Sequence, residues 1–473
     1  MPLDLSHLFS TEVKARSPSK LKTIASHRAT PDIAFLGGGL PLPSYFAWDT
    51  LSATTRKPPF EGGLPASVTA SNELSFTVTK ESDELDIPLS KALQYGTPKG
   101  PTQLLDYLVE HTNKIHSIPY NDWEIITTVG STQSWDSCIR VFCDPGDTIL
   151  VEKYAFTSAL ETAVPQGVTT LTMEMDDSGI IPEMLEEKLA KIKSSGAKLP
   201  KLIYTVPTGQ NPTGSSMPFE RRKAVYDIAS KYDIIIIEDE PYYFLQLDQY
   251  VKASERTKPT HVSSEEFIKS LVPSFLNLDV DGRVVRLDSF SKVLAPGSRL
   301  GWMTGQTAIL ERFLRVHETS IQTPSGFSSA MVYGTLARWG QDGFLDWLQA
   351  LRHEYTYKRD SAIDSALKHV PSVAEVHIPI AGMFFTISFD TTKHPEFKTK
   401  YNSDPLALEK DIYETTIQKN ALLVPGSWFE VLEEGEKPST NIFFRATYAA
   451  TNVEVLDKGL ERFGAAIKQV WGL

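Results

Sequence analysis

The chain has 473 residues, of which 41% are hydrophobic and 10% aromatic, and this length suggests about two domains with buried cores. Its formal net charge is -12, and no basic stripe of useful length interrupts the acidic balance. A dedicated nucleic-acid-binding protein is therefore excluded, and small solutes are the expected partners.

Cysteine content and apolar segments indicate where the protein works. The only two cysteines are Cys138 and Cys143, which excludes a disulfide framework and fits a reducing compartment. Residues 1–20 mix both charges with prolines and lack the apolar core of a signal peptide. The longest apolar run, Ile234–Ile237, is far too short to span a membrane. We expect a cytoplasmic protein with no membrane segment.

Short β-rich runs alternate with longer helical patterns along the middle of the chain. One crossover helix is predicted at residues 220–232, where apolar residues recur at helical spacing. The alternation predicts a mostly parallel sheet with helices on both faces, and chemistry at the carboxyl ends of its strands. The predicted strands are Thr148–Glu152, Leu202–Pro207, Asp233–Glu238 and Arg283–Ser289.

The remaining segments define the predicted domains. Residues 56–86 and 249–266 are polar and are predicted to be surface loops. A long helix is predicted at residues 345–368, leading into a second domain. The predicted division is an N-terminal arm with the first part of the small domain at 1–95, a large domain at 96–345 and a C-terminal small domain at 346–473.

Two features in the first half of the large domain could bind a ligand. Ser131 and Thr132 precede a predicted helix at 134–142, where hydroxyl and backbone N–H groups would face an anion at the positive helix end. An ordinary helix N-cap is the alternative. Phe156 follows a predicted strand and could stack on a planar ring or pack as a core aromatic.

Two further groups of polar residues follow predicted strands. Asn211 lies at the centre of a turn-rich loop, residues 207–214, which could be only a β–α turn. Residues 238–240 place three carboxylates at the end of a buried strand, where like charges are costly without a cation. A metal is one candidate cation, but no His or Cys lies nearby, so we expect none.

The most informative segment runs from Ser289 to Arg299. Lys292 is an amine nucleophile able to form a Schiff base with a cofactor aldehyde, because the pKa of a lysine falls readily on burial. Ser289 and Ser291 would share one face of a strand, so both hydroxyls could reach one phosphate group. Arg299 could add a forked contact to the same phosphate. A strand end with a solvated lysine is the alternative. The combination suggests a lysine that carries pyridoxal 5′-phosphate (PLP).

The other polar residues fit the same cofactor. Asn211 and Tyr242 could contact its ring oxygen O3′, and Asp239 could face its protonated pyridine nitrogen. Arg445 lies inside an apolar, strand-like run, and a buried arginine needs a partner. That partner is either a substrate α-carboxylate held in a fork or a structural ion pair.

These residues, taken in order, resemble the fold type I PLP-dependent aminotransferases over nearly the whole chain. More narrowly, the chain resembles the fungal aromatic aminotransferase I group, which is related to kynurenine/2-aminoadipate aminotransferase. The motifs that carry the resemblance are FLGGGLP, ALQYG, YTVPTGQNPTG, EDEPYYFLQ, DSFSK and FFRATY. The resemblance implies an α/β fold, with a mostly parallel mixed sheet in the large domain and a smaller α+β domain.

The resemblance also implies roles for individual residues. Lys292 would carry the cofactor and shuttle the proton, and Arg445 would hold the substrate carboxylate. Tyr95 would reach the phosphate of the partner subunit, which implies a homodimer, and Arg16 and Gly39 belong to a segment that would fold over the substrate. Phe156 would stack on the ring. The residues implied to bind phosphate are Ser131, Thr132, Ser289, Ser291 and Arg299.

The expected activity is transamination of the aromatic amino acids Phe, Tyr and Trp with 2-oxoglutarate in a ping-pong cycle. The same family handles 2-aminoadipate and kynurenine, and either remains an alternative main donor. A PLP lyase or synthase is a further alternative. A PLP-fold regulator would carry a helix-turn-helix domain before the aminotransferase-like part, and the first residues leave no room for one.

Overall fold

The computed structural model describes residues 2–19, 39–61, 63–64, 67–81 and 84–473. Most of the described strands fall into a large sheet and a smaller one. The strands are β1 Thr50–Arg56, β2 Glu73–Thr79, β3 Trp123–Thr128, β4 Thr148–Glu152, β5 Thr169–Met173, β6 Met175–Asp176, β7 Gly179–Ile180, β8 Leu202–Thr205, β9 Ile235–Asp239, β10 Val284–Ser289, β11 Gly301–Gln306, β12 Glu375–His377, β13 Phe384–Asp390, β14 Val424–Pro425 and β15 Asn441–Thr447.

Helices connect and cover these strands. The helices are α1 Thr11–Ala15, α2 Leu89–Ala92, α3 Thr102–His116, α4 Ser131–Phe142, α5 Thr157–Ala163, α6 Pro182–Ser194, α7 Phe219–Lys231, α8 Ser264–Ser270, α9 Phe275–Leu278, α10 Thr307–His317, α11 Gly326–His369, α12 Pro405–Gln418 and α13 Val453–Trp471. No helix in the described part of the chain is both long and apolar enough to cross a membrane.

The large sheet has seven strands in the order β3-β11-β10-β9-β8-β4-β5, and only β11 runs against the others. Its central strand β9 is buried on both faces, and Ile235, Ile236 and Ile237 have no exposed surface. An unbroken apolar run is the pattern expected of such a strand, because helices cover both faces of the sheet. The predicted mostly parallel α/β sheet is confirmed.

The small sheet is antiparallel, in the order β12-β13-β15-β14. It packs with α12 and α13 around a separate apolar cluster that includes Phe389, Phe444 and Phe463. Helix α11 joins the two cores: Trp347 and Leu348 belong to the cluster of the large sheet, whereas residues 362–366 contact the second cluster.

The structure corrects two predicted segments. The predicted loop at 56–86 contains β2, which forms a hairpin with β1 and buries Phe76 and Val78 against α11. Its period-two alternation is hidden because Ser and Thr occupy most of the other positions. The predicted helix at 345–368 is the second half of α11, which begins at Gly326 and is interrupted at Gly340, where φ is 66°. The predicted loop at 249–266 is mostly without regular structure.

Candidate active site

A cavity of about 360 Å³ lies at the carboxyl ends of the central strands, where α/β sheets bind ligands. Its walls also include Phe384 from the small sheet, so both sheets contribute to it. Most of the predicted site residues line this one cavity: Ser131, Thr132, Phe156, Asn211, Asp239, Tyr242, Ser289, Ser291, Lys292, Arg299 and Arg445.

One end of the cavity is built to hold an anion. Ser289 Oγ donates to Ser291 Oγ at 2.8 Å, and Arg299 Nη1 approaches the same Ser291 oxygen at 3.3 Å. The Arg299 guanidinium otherwise donates to the carbonyl oxygens of Pro296 and Val129, at 3.0 and 2.8 Å. Among the described residues no carboxylate lies within ion-pair distance of Arg299. Two hydroxyls and a guanidinium without a counter-charge are the donor set of a phosphate site.

Gly130 allows this arginine to approach the start of helix α4. A Cβ atom at Gly130 would lie 2.6 Å from Arg299 Nη2, and the residue has a φ of +98°. Both facts favour glycine, because an L side chain would be strained and would displace the guanidinium. Ser131 and Thr132 follow at the positive end of α4, and no side chain caps this helix. The anion site predicted at the start of α4 therefore lies next to Arg299.

Asp239 lies at the end of β9 and lines the same cavity. Its Oδ2 accepts a hydrogen bond of 2.8 Å from the hydroxyl of Tyr204. The other oxygen, Oδ1, and the nearby Ser131 Oγ are buried and make no hydrogen bond of ordinary geometry within the described residues. Burial raises the pKa of Asp239 to about 6, and the Tyr204 hydroxyl opposes that rise. A protonated ring nitrogen facing this carboxylate would supply the missing donor.

Lys292 extends from the turn after β10 and is half-buried. Burial and the charge of Arg299 both lower the pKa of its ammonium group. No carboxylate of the described residues forms an ion pair with it. A lysine that loses its proton more easily than usual, without a counter-ion, is suited to act as a nucleophile and then as a base.

Arg445 and Asn211 meet across the cavity from different sheets. Arg445 Nη1 donates to Asn211 Oδ1 at 2.6 Å, which leaves the amide group of Asn211 as the donor toward a ligand. The guanidinium carbon lies over the rings of Phe384 and Phe429, 4.3 and 4.7 Å from their centroids. No carboxylate of the described residues pairs with Arg445, so the alternative of a structural ion pair is not supported.

The remaining cavity residues provide aromatic walls. Tyr242 is buried, and burial followed by the charge of Asp239 raises the pKa of its hydroxyl. Its ring contacts Phe384 edge-on, at a centroid distance of 6.1 Å. Phe156 lines the cavity at the start of α5, and Thr132 is more exposed. Both positions are compatible with the predicted stacking and phosphate roles, which stay predictions.

Three predicted residues do not line the cavity of this chain. Tyr95 is 58% exposed and lies beside a surface groove that also includes Phe327. Arg16 donates to Glu12 and Thr319, and Gly39 is exposed. The predicted segment between Arg16 and Gly39 lies largely outside the described residues, which resume at Gly39. Their roles stay predictions.

Sequence reasoning missed the partners of the other two carboxylates at the end of β9. Glu238 and Glu240 face away from the cavity and lie within 3.5 Å of Arg222 Nη1. Arg286 also pairs with Glu238, at 3.3 Å. These arginines lie against two of the three carboxylates, and Arg286 also pairs with Asp288. The described residues include no group of three or more His, Cys, Asp or Glu able to hold a metal ion.

The site as a whole fits PLP. An anion-binding corner, an unpaired carboxylate oxygen, an amide donor and a lysine of lowered pKa surround one cavity, and each complements a different part of the cofactor. The volume lies within the range of about 300–1,000 Å³ that small-molecule sites occupy. The residues that would hold the group are therefore present together.

Comparisons with known proteins identify the family to which the chain belongs. The family profile "Aminotransferase class I and II" matches residues 71–463. An aromatic amino acid aminotransferase of Schizosaccharomyces pombe is 40% identical over 99% of this chain and 98% of its own. The mitochondrial kynurenine/alpha-aminoadipate aminotransferase of Mus musculus is 32% identical over 99% and 100%. A crystal structure of an aminotransferase from Candida albicans, 49% identical, superposes over 100% of both chains with a TM-score of 0.95. The chain belongs to the class I and II aminotransferase family.

Proposed function

We propose that the protein is a PLP-dependent aminotransferase that moves the amino group of Phe, Tyr or Trp to 2-oxoglutarate. One observation carries the proposal: Lys292, Asp239 and Arg445 line one cavity. Neither Lys292 nor Arg445 forms an ion pair with a carboxylate of the described residues. Such a cavity offers a nucleophile, an acceptor for a ring proton and a clamp for an α-carboxylate. Similarity to an aromatic amino acid aminotransferase supports the donor class.

Arg445 would bind the substrate first. Its guanidinium lies over the rings of Phe384 and Phe429, and it can form two parallel hydrogen bonds to a carboxylate. Because every amino-acid donor and 2-oxo acid shares that carboxylate, the clamp serves both halves of a ping-pong cycle. The aromatic rings beside it would favour an apolar side chain.

Bound PLP supplies an electron sink for the carbanion formed when a substrate loses its α-proton. Asp239 would keep the ring nitrogen protonated, and Asn211 and Tyr242 would hydrogen-bond the ring oxygen. Lys292, displaced by the substrate amine, would remove the proton from the substrate Cα. The lowering of the pKa of Lys292 by burial and by Arg299 suits this step, because the neutral amine is the base. Ser289, Ser291 and Arg299 would hold the phosphate.

Two further features belong to the proposal. A homodimer would place Tyr95, exposed here, at the phosphate of the partner subunit, as the family resemblance implies. A cytoplasmic location is supported by Cys138 and Cys143, which are both buried and free rather than joined in a disulfide.

A donor panel tests the proposed function. The purified protein, loaded with PLP, is incubated with each donor and with or without 2-oxoglutarate, and the 2-oxo acid product is measured. We expect continued turnover of Phe, Tyr and Trp only with the acceptor, and no more than one equivalent of product per subunit without it. Higher kcat/KM for 2-aminoadipate or kynurenine would replace the proposed donor class with that alternative. Continued product formation without an acceptor, beyond one equivalent per subunit, would indicate a lyase instead.

A further inference from the structure

Arg222 lies on the side of the large sheet that faces away from the cavity, and it has no exposed surface. It extends from helix α7 toward the strand end that carries Asp239. Its Nη1 is 3.3 Å from Glu240 Oε1 and 3.5 Å from Glu238 Oε1. None of these groups touches the cavity. The proposed reaction therefore gives them no task.

The other nitrogens of Arg222 bind both ends of the segment that carries Asn211, residues 207–217, here called the amide loop. Nε donates to the carbonyl oxygen of Met217 at 2.9 Å. Nη2 donates to the carbonyl oxygen of Pro207 at 3.3 Å and to Thr208 Oγ1 at 2.8 Å. A single planar guanidinium thus closes the base of the loop, and a lysine could not make this set of contacts.

Thr208 extends the connection to the strand end. Its hydroxyl accepts from Arg222 and donates to Glu240 Oε1 at 2.8 Å. Because Glu240 directly follows Asp239, the same buried group contacts the amide loop and the segment that holds Asp239. At the centre of the loop, Asn211 accepts from Arg445. Arg222 and Thr208 therefore hold the base of the loop whose centre, three residues beyond Thr208, contacts Arg445.

Stability alone is a weak reason for this arrangement. Burial removes the side chains of Arg222, Arg286, Glu238 and Glu240 from water. Apolar residues of similar volume often replace such buried ion pairs without loss of stability. What an apolar replacement could not supply is a fixed position for the ends of a loop. The position of the loop ends would therefore matter most for Asn211, because a small displacement of its amide group would change its contacts with Arg445 and the cofactor.

We propose that Arg222 is a positioning residue: by clamping both ends of the amide loop to Glu240, it fixes Asn211 against Arg445 and the bound cofactor. The inference rests on the proposed function. It concerns substrate binding rather than the identity of the donor, because Arg445 would grip the carboxylate that all donors share.

The test compares Thr208→Val and Arg222→Lys with the control Thr304→Val. Thr304 is a buried threonine of β11 whose hydroxyl has no hydrogen-bond partner among the described residues, so removing that hydroxyl breaks no contact. Two quantities are measured: the KM for a donor and for 2-oxoglutarate, and the pH at which the visible absorbance of the bound cofactor changes. The second needs no turnover.

We expect Thr208→Val to raise both KM values about tenfold, the effect of a lost hydrogen bond. The absorbance change should move to higher pH, because Asn211 would no longer stabilise the ionised ring oxygen O3′ of the cofactor. Arg222→Lys should do the same, Thr208→Ser should restore the normal values, and the control should match the unaltered protein. If Arg222→Lys does not fold, Thr208→Val decides.

Lower thermal stability of Thr208→Val with unchanged KM values and an unchanged absorbance titration would overturn the inference, because Arg222 would then be only structural. Failure of the proposed function is distinguishable from this result. In that case the unaltered protein itself would not turn over any aromatic donor, and the absorbance titration would still decide the role of Arg222.

Discussion

Arg445→Lys is the substitution that most sharply separates a carboxylate clamp from a structural arginine. Lysine keeps the positive charge but replaces a planar fork by a single ammonium group, which also stacks less well on the rings of Phe384 and Phe429. One charge-assisted hydrogen bond to the substrate should be lost, worth about 1.5–3 kcal/mol. We therefore expect kcat/KM to fall about ten- to a hundredfold.

The fall should be similar for Phe, Tyr, Trp and 2-oxoglutarate, because all of them present the same carboxylate. Steady-state kinetics with each substrate measures it. Arg462→Lys is a matched control, since Arg462 is an exposed arginine that, among the described residues, donates only to the carbonyl oxygen of Asn420. The free energy of unfolding should change by less than about 1 kcal/mol, because Arg445 has no carboxylate partner in the described chain. A loss confined to one donor would refute the clamp and make Arg445 a side-chain selector.

Three further predictions follow from the site. Lys292→Ala should abolish borohydride trapping of PLP on the protein while some cofactor still binds, as mass spectrometry can show; an unchanged adduct would contradict the assignment. Burial raises the pKa of Asp239 to about 6 in the folded, cofactor-free protein, above its value in the unfolded chain. Proton binding by Asp239 therefore stabilises the fold at low pH, and this stabilisation is lost as the pH rises through about 6. Asp239→Asn should then increase the free energy of unfolding of the cofactor-free protein by up to about 3 kcal/mol near about pH 8, and by little near about pH 4, in urea titrations. Gly130→Ala should weaken PLP binding about tenfold by displacing Arg299, measured by fluorescence titration, whereas Gly459→Ala, in open space on α13, should not.

The sequence was sufficient to predict the residues that follow strands. Lys292, Asp239 and Asn211 each come directly after a β-rich run, and the carboxyl ends of neighbouring parallel strands must meet at one edge. Their convergence on one cavity could therefore be predicted before the fold was known. Arg445, on a strand of the other sheet, stands out as an arginine within an apolar run, and the family motifs added its role as a carboxylate clamp.

Contacts between residues distant in sequence could not be predicted in the same way. Tyr204 lies in β8, the strand that leads into the amide loop. Nothing in the sequence of this strand shows that the Tyr204 hydroxyl reaches Asp239. Arg222 reads as an ordinary helix residue, yet it is buried against two carboxylates. The loop predicted at 56–86 includes Phe76, because the alternation around this residue is short and rich in Ser and Thr. The predicted domain boundaries at 95 and 345 stay predictions.

A single-turnover experiment tests the central claim most directly. The PLP-loaded protein is mixed with L-tyrosine in the absence of any acceptor and separated from free substrate, and 2-oxoglutarate is then added. We predict one equivalent of the 2-oxo acid of tyrosine per subunit in the first step and one equivalent of glutamate in the second. Absence of a 2-oxo acid in the first step, or continued product formation without an acceptor, would contradict the account.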